Sequence, residues 1–346
     1  MKALIVRRPG ELIFEDVPVP DLKDNELLIK VVRAGICGTD IAIYTGSSSF
    51  VRDGLISYPV RFGHEWSGTV ESAGRAVTSF KKGDRVISDN SVSCGLCRAC
   101  AAGRYGDCQS SRAVGTVNCW DGCFAEYIVM PEHHIYKFGD SVSFDMAALA
   151  EPLSVANDGF RSVNLTQEST AVIIGTGPIG FAAAALAKYY KAGKIIMIGR
   201  SDYKLSAASA AGATDIINNT RTDAVRQVKA LSGGRGADFV VEASGSEAAL
   251  NDAIDMTAPR GLISAIGFYE KNAAIPIDRL VLNAINLQGA NGSYGNLEAV
   301  KNIIESYDLK LEHIITHRVK FNDCMDFFLN EKLYHNQKIK SMVEFD

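Results

Sequence analysis

The sequence predicts an α/β fold in two domains, a mostly β barrel and a doubly wound parallel sheet. Three observations carry this expectation. Residues 1 to about 150 hold short β-branched runs cut apart by Pro and Gly, the texture of strands joined by many loops. From about 155 to 284 apolar runs alternate with Ala-rich stretches, which predicts a parallel sheet covered by helices on both faces. Within that second region, Gly175-Thr176-Gly177-Pro178-Ile179-Gly180 joins an apolar run to an Ala-rich one. The 346 residues, 47% of them hydrophobic, suffice for two domains with cores of their own.

In chain order, residues 27–32, 69–74, 83–86 and 126–130 read as strand and turn pieces of the barrel. Residues 91–110 read as a loop-like lobe that can bury little apolar surface, so a metal would supply its stability. In the second domain, 171–174, 194–198, 237–241 and 261–266 read as buried strands, with helices over 181–190 and 202–211. One more helix, 296–305, precedes a tail with apolar segments at 327–329 and 341–344 that is expected to return to the first domain. The expected division is therefore 1–154 with 285–346 for the barrel and 155–284 for the sheet.

The bulk properties exclude several function classes. A net charge of −4 and a pI near 5.9 leave no basic footprint for nucleic acid or an anionic membrane. Residues 169–187 carry no charge, but Gly175, Gly177, Pro178 and Gly180 make this a strand, tight turn and helix rather than a membrane span. The apolar run at 3–6 is too short for a signal peptide. Of eight cysteines, four crowd into one lobe, which favours metal in a reducing compartment over a spread of disulfides. The expectation is a cytoplasmic protein.

Two clusters carry metal chemistry. Cys94, Cys97, Cys100 and Cys108 place four thiols within one short stretch, enough to close tetrahedrally round a structural Zn²⁺. Disulfides and an iron–sulfur cluster are the alternatives. Cys37, in Gly-Ile-Cys-Gly-Thr-Asp, and His64 and Glu65, in Gly-His-Glu-Trp-Ser-Gly, offer a thiolate, an imidazole and a carboxylate. Such a set leaves one zinc position open to a substrate oxygen, the mark of a catalytic site.

The glycine-rich turn at 175–180, placed between strand and helix, predicts a dinucleotide site. Its glycines allow close backbone approach, and the helix N-terminus meets the pyrophosphate charge. An acid about 20 residues further on would bind the ribose hydroxyls of NAD. That place holds Gly199, followed by Arg200, Ser201 and, a helical step on, Lys204. With no carboxylate to repel a 2′-phosphate and a guanidinium to grip it, NADP(H) is favoured and NAD(H) remains the alternative.

Taken together, these residues resemble the zinc-dependent medium-chain dehydrogenases, and most resemble their sorbitol or polyol, galactitol-phosphate and threonine dehydrogenase branch. The resemblance spans nearly the whole chain and includes Glu-Pro-Leu-Ser at 151–154. It implies a GroES-like barrel built from both chain ends, a central Rossmann domain, and a homodimer or homotetramer. It also implies that Cys37 and His64 hold a catalytic zinc, with Glu65 or Glu151 as a further ligand. Successive strand side chains point oppositely, so His64 and Glu65 can share a metal only where the backbone is irregular. Thr39 corresponds to a hydroxyl that takes the substrate proton. Ala42 stands where related threonine dehydrogenases carry His, which speaks against threonine. The resulting expectation is reversible oxidation of a secondary alcohol of a small polyol or sugar-like substrate to a ketone, with hydride transfer to NAD(P)⁺ and two zinc ions per chain. A phosphorylated polyol or an amino alcohol is the alternative substrate. A zinc-free reductase or nucleotide-binding protein on the same scaffold is the rival of another class. Cys119, Cys123 and Cys324 match no ligand position and are expected to be buried thiols.

Overall fold

The strand Glu26–Ile36 is the backbone of the first domain. Bulges between Leu28 and Ile29 and between Val31 and Arg33 interrupt its pairing with Glu65–Ala73, and bulges bend and twist a strand. Its other edge is shared by two partners: Tyr127–Pro131 pairs with the first half and Lys340–Glu344 with the second. The resulting seven-stranded sheet also takes in Arg85–Ser88, Ile135–Lys137 and Ile315–Lys320. A three-stranded sheet of Glu11–Asp16, Lys2–Arg8 and Val60–Arg61 packs beside it. Between them Phe62, Phe124 and Phe328 meet edge to face, with centroids 4.8–5.6 Å apart. The tail thus supplies two strands and a core aromatic to the N-terminal barrel. This computed structural model describes residues 1–291, 296–334 and 336–345.

The second domain is a six-stranded parallel sheet in the order Asp215–Asn218, Lys194–Gly199, Thr170–Ile174, Ala237–Glu242, Thr257–Ala265, Asn286–Gly289. That is the doubly wound order 3-2-1-4-5-6. Period-two alternation sorts its side chains. Ala171, Ile173, Ile195, Met197, Phe239 and Val241 join the core under helices Ala150–Asp158 and Pro178–Tyr189. Val172, Ile174, Ile196, Ile198, Val240 and Ile263 join the core on the other face, with Val228 and Ala253 from helices Ala224–Leu231 and Glu247–Met256. Both faces are therefore apolar, which is why these strands read as continuous hydrophobic runs.

The sheet has two strands beyond the four expected, both at edges. Asp215–Asn218 is a short strand, and Asn286–Gly289 is mostly exposed; neither carries a sustained apolar run. The second places the sheet's end beyond residue 284. Helix Asp202–Ser206 is shorter than its Ala-rich sequence suggests, because the chain from Ala207 continues in i→i+3 turns to Gly212 at φ +103°. No helix among the described residues is long and apolar enough to cross a membrane.

Candidate active site and metal centres

Cys37 caps the helix Gly38–Thr45 where the long strand ends, and its N–H donates to Asp40 Oδ2 at 2.8 Å. Asp40 is fully buried, and its Oδ1 faces His64 Nδ1 at 3.4 Å. That leaves Nε2 of His64 as the nitrogen able to face a metal, with the carboxylate holding the ring from behind. His64 precedes the strand Glu65–Ala73, and Gly63 before it takes φ +91°. A Cβ on Gly63 would press on the Phe124 ring at 2.6 Å. His64 lies just before the strand that Glu65 opens, so strict strand alternation does not govern the pair. One ligand atom each from Cys37, His64 and Glu65 lie within 4.8 Å of one another. A soft thiolate, an imidazole and a carboxylate suit Zn²⁺ with a fourth position open.

Glu65 is held by a residue from far along the chain. Lys340, from the returning strand Lys340–Glu344, is buried; its Nζ pairs with Glu65 Oε2 and donates to Ile36 O at 3.1 Å. Burial by itself would lower the Lys340 pKa, but Glu65, followed by Cys37, outweighs it and leaves the value raised. Gly35 is needed for this contact, since a Cβ there would lie 2.9 Å from Lys340 Cε and collide with Glu65 Oε2. Glu151, in helix Ala150–Asp158, lines the same cavity and accepts from Asn90 Nδ2 at 3.2 Å, outside the trio's ligand group. Burial, opposed by His64 and aided by Glu65, pushes its carboxyl up to about 7. The Thr39 hydroxyl stands 3.8 Å from Cys37 Sγ, and Ala42 contributes to the same wall.

In the lobe, the sulfurs of Cys94, Cys97, Cys100 and Cys108 also lie within 4.8 Å of one another. Cys97 and Cys100 approach to 3.4 Å and Cys94 and Cys100 to 3.9 Å, well beyond the ~2.05 Å of a disulfide. Backbone N–H groups of Leu96 and Cys97, then the Cys108 thiol, lower the Cys94 pKa to about 6, as expected where amides converge on a thiolate. Four thiols so gathered fit a tetrahedral Zn²⁺. Of the remaining cysteines, Cys123 and Cys324 are buried and Cys119 is half-buried; burial raises Cys119 to about 11 and Cys324 to about 12, and these are inert thiols.

The three glycines of the turn at 175–180 meet different steric demands. Gly175 takes φ +122°, a conformation open to glycine. A Cβ on Gly180 would collide with Gly175 O, whereas nothing lies within 4 Å of one on Gly177, the N-cap of helix Pro178–Tyr189. At the end of the neighbouring strand, a Cβ on Gly199 would collide with Thr176, so no side chain fits there. Arg200 is exposed, and among the described residues neither it nor Lys204 pairs with a carboxylate. Lys204 is lowered by burial and then by the neighbouring charges of Lys338 and Arg200. The nearby acid, Asp202, is bound by Asn218 Nδ2 at 2.6 Å and by Arg221. The Ser201 hydroxyl caps the next helix, accepting from Lys204 N at 3.4 Å.

A cavity of about 550 Å³ joins these parts: Cys37, His64 and Glu65 on one side, and Ile179, Ala243 and Ile266 of the second domain on the other. The two domains also meet at its mouth. Ser49 N donates to Glu270 Oε2 at 2.8 Å, Arg52 Nη2 pairs with the same carboxylate at 3.1 Å, and Phe50 meets Phe268 edge to face at 5.4 Å. Asp40, Asn90 and Lys340 are site residues that the sequence reading does not single out. Asp40 carries a local signal, standing at the N3 position of a helix that starts at Cys37, the place where a capping acid belongs. Lys340 carries none.

Residues 23–140 match the family model of the alcohol dehydrogenase GroES-like domain, and residues 178–307 that of zinc-binding dehydrogenase. The sorbitol dehydrogenase of Bacillus subtilis (strain 168) is 33% identical over 345 residues, covering 99% of this chain and 97% of that protein. An L-threonine 3-dehydrogenase of Bacillus licheniformis is 35% identical over 323 residues, covering 92% of each. Among solved structures, a chain assigned as a zinc-binding dehydrogenase from Sinorhizobium meliloti 1021, bound to NADP, superposes with a TM-score of 0.88 at 25% identity, covering 99% of this chain and 98% of that one. The 2R,3R-butanediol dehydrogenase of Bacillus subtilis does so with a TM-score of 0.88 at 26% identity, covering 99% of each.

Proposed function

Because this chain belongs to the zinc-dependent medium-chain alcohol dehydrogenases, we propose that it oxidises a secondary alcohol of a polyol or sugar-like substrate reversibly to the ketone. The supporting observation is the convergence of Cys37, His64 and Glu65 on one end of a cavity whose other end is the dinucleotide turn. In this reading Cys37, His64 and Glu65 hold the catalytic zinc. Glu151 lines the same cavity and accepts a hydrogen bond from Asn90. Cys94, Cys97, Cys100 and Cys108 hold a second, structural zinc. When bound, zinc supplies the Lewis acidity that eases loss of the hydroxyl proton, and the nicotinamide accepts the hydride. Asp40 fixes the His64 ring, and Thr39 takes the substrate proton outward. Ile179, Ala243 and Ile266 exclude water and hold the ring against the carbinol carbon.

The test follows nicotinamide absorbance with polyols, sugar derivatives, inositols and threonine, with both cofactors, before and after chelation. Turnover of polyols that disappears on chelation and returns with zinc supports the reading; turnover indifferent to chelation rejects it. The L-threonine 3-dehydrogenase relatives favour threonine as the second reading, and the same panel decides it.

Three further assignments belong to this reading. NADP is the preferred cofactor, supported by the unpaired Arg200 beside Ser201 and Lys204 and by the diversion of Asp202 to Arg221. Arg200→Asp is expected to lower the NADP-to-NAD ratio of kcat/KM by roughly 10- to 100-fold, the worth of a charge-assisted pair; an unchanged ratio rejects the assignment. Replacing any one of the four lobe cysteines by Ser should cost one zinc per chain. It should also lower the melting temperature by about 5–10 °C, the equivalent of about 2–3 kcal/mol; an unchanged melting temperature removes the structural role. Finally, the chain forms a homo-oligomer in the cytoplasm. The open edge of Asn286–Gly289 and the exposed Ile277, Val281 and Leu282 on the adjoining helix support self-association, and the four-thiol lobe suits a reducing compartment.

A further inference from the structure

One wall of the cavity is a tight turn that enters from the strand Arg112–Ala113. The turn is clamped from several sides. Ala113 N donates to Val117 O at 2.8 Å, Trp120 N to Ala113 O at 2.9 Å, and Asn118 N to Leu55 O at 2.8 Å. Gly115 sits directly on Gly63, the residue before His64; a Cβ on it would come within 2.6 Å of Gly63 N. This wall is thereby tied to the position of the metal-facing imidazole.

Arg112 stands on this wall as the cavity's one Lys or Arg among the described residues. Its Nε donates to Asn118 O at 3.0 Å, its Nη2 donates to Cys119 O, and the guanidinium lies over Trp120 at 5.0 Å. Carbonyls and an indole orient the fork without neutralising it. A guanidinium has five N–H donors, so the Nη1 pair and one more are left over. Of the cavity's carboxylates, Glu65 pairs with Lys340 and Glu270 with Arg52, while Glu151 accepts from the neutral Asn90 amide and has its pKa raised by burial. Among the described residues no carboxylate pairs with Arg112, and Gln109 and Asn118 line the same cavity.

We propose that Arg112 binds an anionic group, phosphate or carboxylate, on the far end of the polyhydroxylated substrate. The inference rests on the polyol reading and narrows it: the neutral polyol is the poor substrate and its charged derivative the good one. A fixed, planar fork suits the bidentate geometry of either anion. Its anchoring on backbone carbonyls means that little side-chain freedom is lost on binding.

The experiment compares kcat/KM for a hexitol, its 6-phosphate and the matching hexonate, in the zinc-loaded enzyme with the preferred cofactor. One anionic form should exceed the neutral hexitol by roughly 10- to 100-fold, and which one does so identifies the group. In Arg112→Met the anionic-to-neutral ratio should fall to near one, with Arg112→Lys in between. Should Arg112→Met fail to fold, Arg112→Gln, which keeps a donor for the carbonyls, takes its place. A wild type that prefers the neutral hexitol overturns the inference while leaving the polyol reading standing. A preference that survives in the folded variant overturns it too. Oxidation of none of the three forms would instead sink the polyol reading itself.

Discussion

Cys37→Ser should reduce kcat/KM by roughly 10³- to 10⁴-fold, the kinetic equivalent of roughly 4–5.5 kcal/mol. The substitution exchanges the thiolate of the proposed catalytic site for a neutral hydroxyl that binds zinc poorly at neutral pH. Zinc content should fall by one ion per chain, since the lobe with its four sulfurs is untouched. Cofactor binding, measured by calorimetry, should stay within a few-fold of wild type, because the turn at 175–180 belongs to the other domain. The combination is diagnostic: loss of chemistry, loss of one metal and retained nicotinamide affinity. Turnover within tenfold of wild type would show that the Cys37 centre is not where the reaction occurs.

Lys340→Met is expected to have the largest effect on stability. It leaves the buried Glu65 carboxylate without its cation, and breaking a buried pair from one side costs roughly 3–5 kcal/mol, a fall in melting temperature on the order of 10 °C. The size should depend on metal. If Glu65 ligates zinc, the ion partly replaces the missing ammonium, so the loss is smaller in the zinc-loaded protein than after chelation. Equal losses in the two states would exclude Glu65 as a ligand and direct attention to Glu151. The pH dependence has a definite sign. The pKa of Lys340 is raised in the folded state, so the pair's contribution is fully present below the ordinary lysine value and fades only as pH climbs through the folded one.

Much of this architecture is legible in the sequence for a physical reason. Strands buried on both faces must be continuously apolar, and the four central strands announce themselves that way. The edge strands Asp215–Asn218 and Asn286–Gly289 lack that double burial and so lack the signal. The glycine turn is legible because backbone geometry excludes side chains at Gly175 and Gly180. Cys37, His64 and Glu65 stand out by residue type, but their convergence comes from the fold, which sets the end of the strand Glu26–Ile36 beside the start of Glu65–Ala73. Choosing between Glu65 and Glu151 lies beyond local pattern altogether. What sets the surroundings of Glu65 apart is Lys340, a single lysine in the tail whose partnership exists only once the strand Lys340–Glu344 lies against Glu26–Ile36.

That placement has a consequence for biogenesis. Domains generally fold as units, in the order in which the ribosome releases them, but here the slot beside residues 33–36 is filled by a segment made after the entire nucleotide-binding region. Synthesis at about 5–20 residues per second puts roughly 14–55 s between the emergence of Glu65 and that of its lysine. Throughout that interval the nascent barrel exposes an unpaired strand edge and an uncompensated acid. The nucleotide-binding region, whose sheet is contiguous in sequence, is free to fold first and deliver the closing strand to it.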